Sequence, residues 1–265
     1  MNRKKPLEMQ RAIERMELEL TKWNAVRSLT PLERDVEALE IGGCVLLRDR
    51  SDADSMYYNR VKGFGPEDAA RLGELLATYP ASDTAPVFDM TPDRTTPETS
   101  RALADAGFLP AEQLAFLAAE PLEAADDVGL DVRLVGEEDA ETFVRWIVAS
   151  SPGHVVDEAT VQRAKGYFAR PHFRNYRIEI DGAPAAMASM FLHGDEAYLA
   201  NDYTFEAFRG RGCQGALIRR RLADAARLGA TAVYTDVEFG SGSHTNMERA
   251  GFRLAFVNTF WCRSY

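Results

Sequence analysis

One stretch constrains this chain more than any other: Arg-Gly-Arg-Gly-Cys-Gln-Gly-Ala, from Arg209 to Ala216. A β-type run ending at Phe205 leads into it, and an amphipathic helix with Leu217, Ile218, Leu222 and Ala225 on one side follows directly. Gly210, Gly212 and Gly215 let a backbone approach a ligand closely. The unpaired amides at the helix start point outward, and the helix dipole adds partial positive charge, so a diphosphate is favoured there. Arg209 and Arg211 add full charges. The same residues also suit a plain solvated turn whose arginines serve only solubility.

The charge background sharpens the arginine reading. Lys and Arg number 31 against 41 Asp and Glu, a formal net charge of −10, which disfavours a general nucleic-acid binder. Against that background the cluster of Arg209, Arg211, Arg219, Arg220 and Arg221 is a local exception. With 265 residues the chain can bury a core without disulfides or metals, as one large domain or two ordinary ones. Cys44, Cys213 and Cys262 are too widely spaced for a C-x-x-C motif, and their odd number argues against a disulfide framework, so a reducing compartment and no metal are expected. The basic start, Met1 to Lys5, leads into a mixed polar run rather than an apolar one. No apolar run approaches the roughly 20 residues of a membrane span. The expectation is a cytoplasmic protein with no nucleic-acid or membrane partner.

Periodicity divides the chain into two halves. The first reads as a helix from Leu7 to Trp23, strands Val36 to Arg48 and Ser55 to Val61, the turn Gly63-Phe64-Gly65, a helix Pro66 to Tyr79, a strand Pro86 to Met90, a helix stopped by Gly107 and a strand Gln113 to Ala118. The acidic stretch Glu120 to Gly129 reads as a linker. The second half then runs strand (Leu130 to Leu134), helix (Glu137 to Ser150), helix (Asp157 to Phe168) and three strands joined by Asp181-Gly182 and His193-Gly194-Asp195. The glycine turn, a helix to Leu228, a strand Thr231 to Val237, a helix ending at Gly251 and a strand Arg253 to Trp261 complete it. Both halves carry a glycine turn, helix, strand and helix, closed by Ala-Gly-Phe at Ala106 to Phe108 and Ala250 to Phe252. A diverged internal duplication explains this, and so does chance likeness of two ordinary α/β segments.

Two phosphate motifs are excluded: no G-x-x-x-x-G-K-[ST] occurs, and RGRGCQG follows hairpin strands rather than the first strand of a βαβ unit. The stretch instead resembles motif A of the GNAT superfamily of N-acetyltransferases, Q/R-x-x-G-x-G/A, with Arg209, Gly212 and Gln214 at its three defined positions. Gln214 stands where Gly or Ala is usual, and Gly215 follows at once. The resemblance covers roughly Val132 to Trp261, because VRLV, EEDAETF, the three-strand meander and NMERAGF fall in GNAT order. It implies an α/β (α+β) GNAT fold with a mixed, mostly antiparallel sheet flanked by helices. Two tandem GNAT-like lobes follow: residues 1–128 a degenerate one, residues 129–265 an acetyltransferase domain binding acetyl-CoA.

The same resemblance implies an N-acetyltransferase of the EC 2.3.1 class, moving an acetyl group from acetyl-CoA to a primary amine by direct attack in a ternary complex. The alternative is a non-catalytic acyl-CoA-binding or sensor module. The coenzyme would be held by Asp202, Tyr203 and Thr204 at the strand end, by Arg209, Gly210, Arg211, Gly212, Cys213, Gln214, Gly215 and Ala216 around the turn, and by Asn246. Attack needs a base, an oxyanion donor and a proton source for the thiolate. Asp202 and Glu238 are the candidate bases, with Asp236 a competitor for Glu238, and each is equally well an exposed strand-end carboxylate. Many GNAT enzymes place a Tyr four residues before the closing glycine, where this chain has Met247, so either the thiolate leaves without an enzymic acid or a Tyr from elsewhere, such as Tyr203 or Tyr265, supplies the proton. His154 falls in the expected acceptor loop and His244 is expected at the surface. Gly63 to Asp68, the equivalent turn of the first half, puts a proline and two carboxylates where a diphosphate would sit, leaving that lobe for packing, pocket formation or homodimer contacts.

Overall fold

The computed structural model describes residues 4–31, 33–82, 86–123, 129–151 and 155–263. In chain order its elements are α1 (Pro6–Val26), β1 (Val36–Ile41), β2 (Cys44–Asp49), β3 (Arg60–Lys62), α2 (Leu72–Ala77), β4 (Val87–Met90), α3 (Pro97–Asp105), β5 (Phe108–Ala119), β6 (Val132–Leu134), α4 (Ala140–Ser150), α5 (Glu158–Ala164), β7 (Phe173–Ile180), β8 (Ala183–His193), β9 (Glu196–Thr204), α6 (Cys213–Arg227), β10 (Ala232–Glu238), α7 (Gly242–Arg249) and β11 (Arg253–Arg263). No described helix is long and apolar enough to cross a membrane.

The chain forms two compact units, but not the expected 1–128 and 129–265. The larger contains Met1–Pro31 and Phe116–Ala255, the smaller Leu32–Ala115 and Phe256–Tyr265. Two local causes explain the difference. Helix α1 buries Ile13, Met16 and Leu20, and Lys4 just ahead of it and Arg15 within it both pair with Glu196 at the start of β9, so the first helix belongs with the later strands. At the other end Thr259, Phe260 and Trp261 of β11 pair antiparallel with Met90, Asp89 and Phe88 of β4, so the last strand finishes in the smaller unit.

In the smaller unit the strand order is β1-β2-β3-β4-β11, with β3 and β4 parallel. Its core gathers Leu46, Val61, Phe64, Phe88, Phe108 and Trp261. The rings of Phe64, Phe88 and Phe108 meet edge to face at 5.2 and 4.9 Å, the arrangement the ring quadrupole favours. Two sequence expectations change here. The run Val36 to Arg48 folds back at Gly42-Gly43 into a hairpin, with Ile41 opposite Cys44. The strand expected from Ser55 shrinks to Arg60–Lys62, because the Asn59 amide donates to Asp52 O and Ser55 O while its Oδ1 accepts from Asp49 N, tying the preceding residues into turns.

In the larger unit the order is β10-β9-β8-β7-β6. The β6 to β9 pairs are antiparallel, whereas β9 and β10 are parallel and α6 is the connection a parallel pair requires. Asp181 and Gly182 both have positive φ in the β7–β8 turn, as the hairpin reading expects. Three tyrosines are wholly buried, and each hydroxyl donates to a carboxylate: Tyr176 to Asp224, Tyr198 to Asp236 and Tyr234 to Glu196, at 2.9, 2.6 and 2.7 Å. Buried phenols kept this way carry no unpaired polar group into the core.

Candidate functional site

Helix α6 starts without a cap. Gly212 occupies the N-cap position at φ 79°, no side chain accepts from the first turn, and that turn holds no acidic residue. Gly210 is also left-handed, at φ 77°. A conformation that costs other residues about 1–2 kcal/mol is what turns the chain and leaves the α6 amides facing outward. Cys213 and Ala216 are buried beneath the loop, and burial pushes the Cys213 thiol pKa up. Arg209 and Arg211 are exposed; Arg209 Nε donates to Thr204 O at 3.4 Å, and Arg211 lies over the Phe208 ring. The Arg219 guanidinium lies 3.4 Å from where a Cβ on Gly215 would stand, so it adds charge at the first turn.

The other two arginines of the cluster turn inward. Arg220 donates to Asp224 and to Val132 O, and Arg221 is fully buried. The positive surface at the loop is therefore Arg209, Arg211 and Arg219.

Beside the loop, two strands part. Pairing between β9 and β10 runs from Glu196 opposite Ala232 to Tyr198 opposite Tyr234, while β9 continues to Thr204 and β10 to Glu238. On its other side β9 carries a bulge. Met187 faces Tyr203 and Ser189 faces Ala200, so Asn201 and Asp202 together oppose Ala188, and Asn201 has φ 55°. A bulge bends its strand and frees backbone groups from the ladder. The sequence carries no signal for it, since Asn201 reads as an ordinary strand residue.

The expected site residues fall into distinct groups around this opening. Asp202 is not a free carboxylate: its Oδ2 accepts from Arg221 Nη1 at 2.9 Å and its Oδ1 from Nη2 at 2.5 Å. Both oxygens of Asp202 are thus engaged by a buried guanidinium, a bidentate pair that leaves the carboxylate little freedom to turn toward the opening. Tyr203 is half-buried and its ring meets Phe205 at 5.1 Å, which meets Trp146 of α4 at 6.1 Å. Glu238 is exposed at the end of β10, and its competitor Asp236 is held by Tyr198. His154 and Tyr265 lie outside the described residues.

Gln214, which departs from the usual small residue, ties α6 to α7. Its Nε2 donates to Ser243 Oγ at 3.0 Å, and its Oε1 accepts from Asn246 Nδ2 at 2.7 Å. Ser243 is the member of this group that sequence reasoning did not assign to the site. Ser241 caps α7 by accepting from His244 N. His244 is not the surface residue expected: it is 7% exposed, Nδ1 accepts from Gly240 N at 3.0 Å, and its ring packs edge-on to Phe239. Met247 is buried.

The matching turn of the smaller unit is closed to an anion. Gly63 is left-handed at φ 78°, but Pro66 at the start of the following 3₁₀ turn has no amide hydrogen, and Glu67 pairs with Arg94. Asp68 is buried with its Oδ1 accepting from Gly43 N at 3.1 Å. An internal carboxylate holds the ground that a phosphate would need.

No family model and no curated protein matches the sequence. Solved structures do match in fold. A GCN5-related N-acetyltransferase from Kribbella flavida superposes with a TM-score of 0.68 at 18% identity, covering 96% of each chain. Another from Sphaerobacter thermophilus gives 0.60 at 15% identity, covering 84% of this chain and 81% of that one. A tandem GNAT protein from the clavulanic acid biosynthesis pathway gives 0.56 at 13% identity over 94% of both. The chain has the GNAT fold, with two tandem GNAT-like lobes.

Proposed function

We propose that the larger unit is an N-acetyltransferase that moves an acetyl group from acetyl-CoA to a primary amine by direct attack in a ternary complex. The observation that carries this reading is the pairing of the uncapped, left-handed start of α6 with the parted ends of β9 and β10. One binds a diphosphate and the other admits an extended arm beside unpaired backbone. In this reading Gly210 to Ala216 and the guanidinium groups of Arg209, Arg211 and Arg219 receive the diphosphate. The backbone of Asp202, Tyr203 and Thr204 receives the pantetheine arm, and the Oδ1 of Asn246 remains for the coenzyme.

For the chemistry, Glu238 takes the proton of the attacking ammonium, directly or through water. The nitrogen lone pair then forms the bond to the thioester carbon, and an amide near Tyr203 donates to the oxyanion. As the carbon–sulfur bond breaks, the Tyr203 hydroxyl protonates the thiolate. Asp202 serves through its backbone alone. The acidic net charge favours cationic acceptors, and the protein is read as cytoplasmic, with neither nucleic acid nor membrane as partner.

A second reading, acyl-CoA binding without turnover, is favoured by Met247, a buried thioether where a proton donor would stand. Calorimetry with acetyl-CoA, followed by a free-thiol assay over a panel of primary amines, separates the two. The enzyme releases thiol with at least one amine, whereas a sensor gives binding heat alone. Replacing Gly212 by Asp should weaken acetyl-CoA binding at least about tenfold, because it strains a left-handed residue and sets an anion at the diphosphate. Unchanged binding would end the assignment.

A further inference from the structure

Arg221 is a costly residue to bury. A guanidinium taken fully out of water needs a partner for its charge and acceptors for its donors. Arg221 has them, all at one place in the fold. Its Nε donates to Leu217 O at 3.1 Å, one turn back on α6; Nη1 donates to Ser189 O at 2.9 Å on β8; Nη1 and Nη2 together hold the Asp202 carboxylate on β9. Ser189 and Asp202 lie on the two sides of the bulge, where two residues of β9 oppose the single Ala188. The guanidinium therefore spans the irregularity from above and fixes both strands to the helix.

This helix is also the one whose first turn forms the candidate diphosphate site. Arg221 sits eight residues beyond Cys213, about 12 Å along the α6 axis at 1.5 Å per residue. Tyr203 and Thr204 follow the clasped residue directly, on the stretch of β9 that has left β10. We infer that the Arg221–Asp202 ion pair sets the bulge of β9, making Arg221 a positioning residue that holds the strand-end amides in register with the amides of the α6 loop. The inference rests on the acetyl-CoA reading for its purpose, but the clasp itself is testable without it. It also explains why an aspartate stands at the strand end if it takes no proton: a short carboxylate matches the fork of an arginine in a bidentate pair, which an ammonium cannot do.

Three variants test this: Arg221→Lys keeps charge without the fork, Asp202→Asn keeps shape without charge, and Arg221→Met combined with Asp202→Asn removes both charges so that no ion is buried alone. In each variant that folds, amide exchange at residues 201–204 should rise at least about tenfold, while exchange in β7 stays at the wild-type rate. Calorimetry should show acetyl-CoA binding weakened about tenfold or more, while binding of ADP, which carries a diphosphate but no thioester arm, stays within about threefold. In Asp202→Asn the rate should fall with the acid limb of the pH profile retained, as expected for lost positioning. Wild-type exchange at 201–204 in Arg221→Lys and in the double variant would overturn the clasp, as would loss of the acid limb alone in Asp202→Asn. If the wild-type protein gives no heat with acetyl-CoA, the coenzyme reading falls while the exchange comparison still decides the clasp.

Discussion

At the scale of single residues, the three cysteines show how burial governs reactivity. Cys44 is 1% exposed; burial, and then the adjacent Asp68 carboxylate, push its pKa up to about 12. Burial raises Cys213 and Cys262 as well, and all three are free thiols. Since the thiolate is the nucleophile, iodoacetamide at pH 8 should label the native protein far more slowly than the same protein in denaturant, and Cys44 should be the slowest even as the pH is raised. Mass spectrometry of timed samples checks this, and prompt labelling of Cys213 would contradict it. Residue identity was legible in the sequence where it depends on local chemistry. Gly212 and Gly210 announced a left-handed turn because few other residues adopt one. The Asp202–Arg221 pair was not legible, because the two residues lie nineteen positions apart and one strand cannot report what a helix lays against it.

At the scale of elements, the joint between α6 and α7 rests on side chains rather than on backbone pairing. Gln214 bridges Ser243 and Asn246, so Gln214→Ala should cost about 1 kcal/mol of stability for the lost bonds and speed exchange of the first α7 amides. Denaturant titration and hydrogen exchange measure both; unchanged α7 exchange would mean the bridge does not hold the helix. Most elements were visible as patterns of apolar spacing, including α1, the β7 to β9 meander and the amphipathic α6. The exceptions have a common cause. Gly42 and Gly43 turn the chain between β1 and β2, the Asn59 side chain ties the turns before β3, and the bulge at Asn201 arises from pairing between strands. None of these alters the apolar period from which strands are read.

At the scale of the molecule, the chain's two units do not coincide with its two sequence halves. Phe260, Trp261 and Cys262 are buried in the smaller unit although they end the second half. Trp261→Ala should therefore destabilise that unit by about 3–5 kcal/mol, the cost of emptying a large buried ring. Melting followed by near-ultraviolet dichroism should show the smaller unit's aromatic core lost first, with amide protection in β7 to β9 of the larger unit persisting above that transition. The glycine turn and Ala-Gly-Phe stop that both halves share were legible in the sequence. The exchange of strand ends was not, because β5 and β11 each present one uninterrupted β pattern across the point where the chain changes unit.

That final strand has a bearing on how the protein is made. The smaller unit's first segment leaves the ribosome early, yet the residues that close its core emerge only after some 140 intervening positions. At usual elongation speeds of about 5–20 residues per second, its aromatic interior waits roughly 7–28 s for its last wall. During biosynthesis the smaller unit's interior stays open across that interval, and that is when a chaperone would find it.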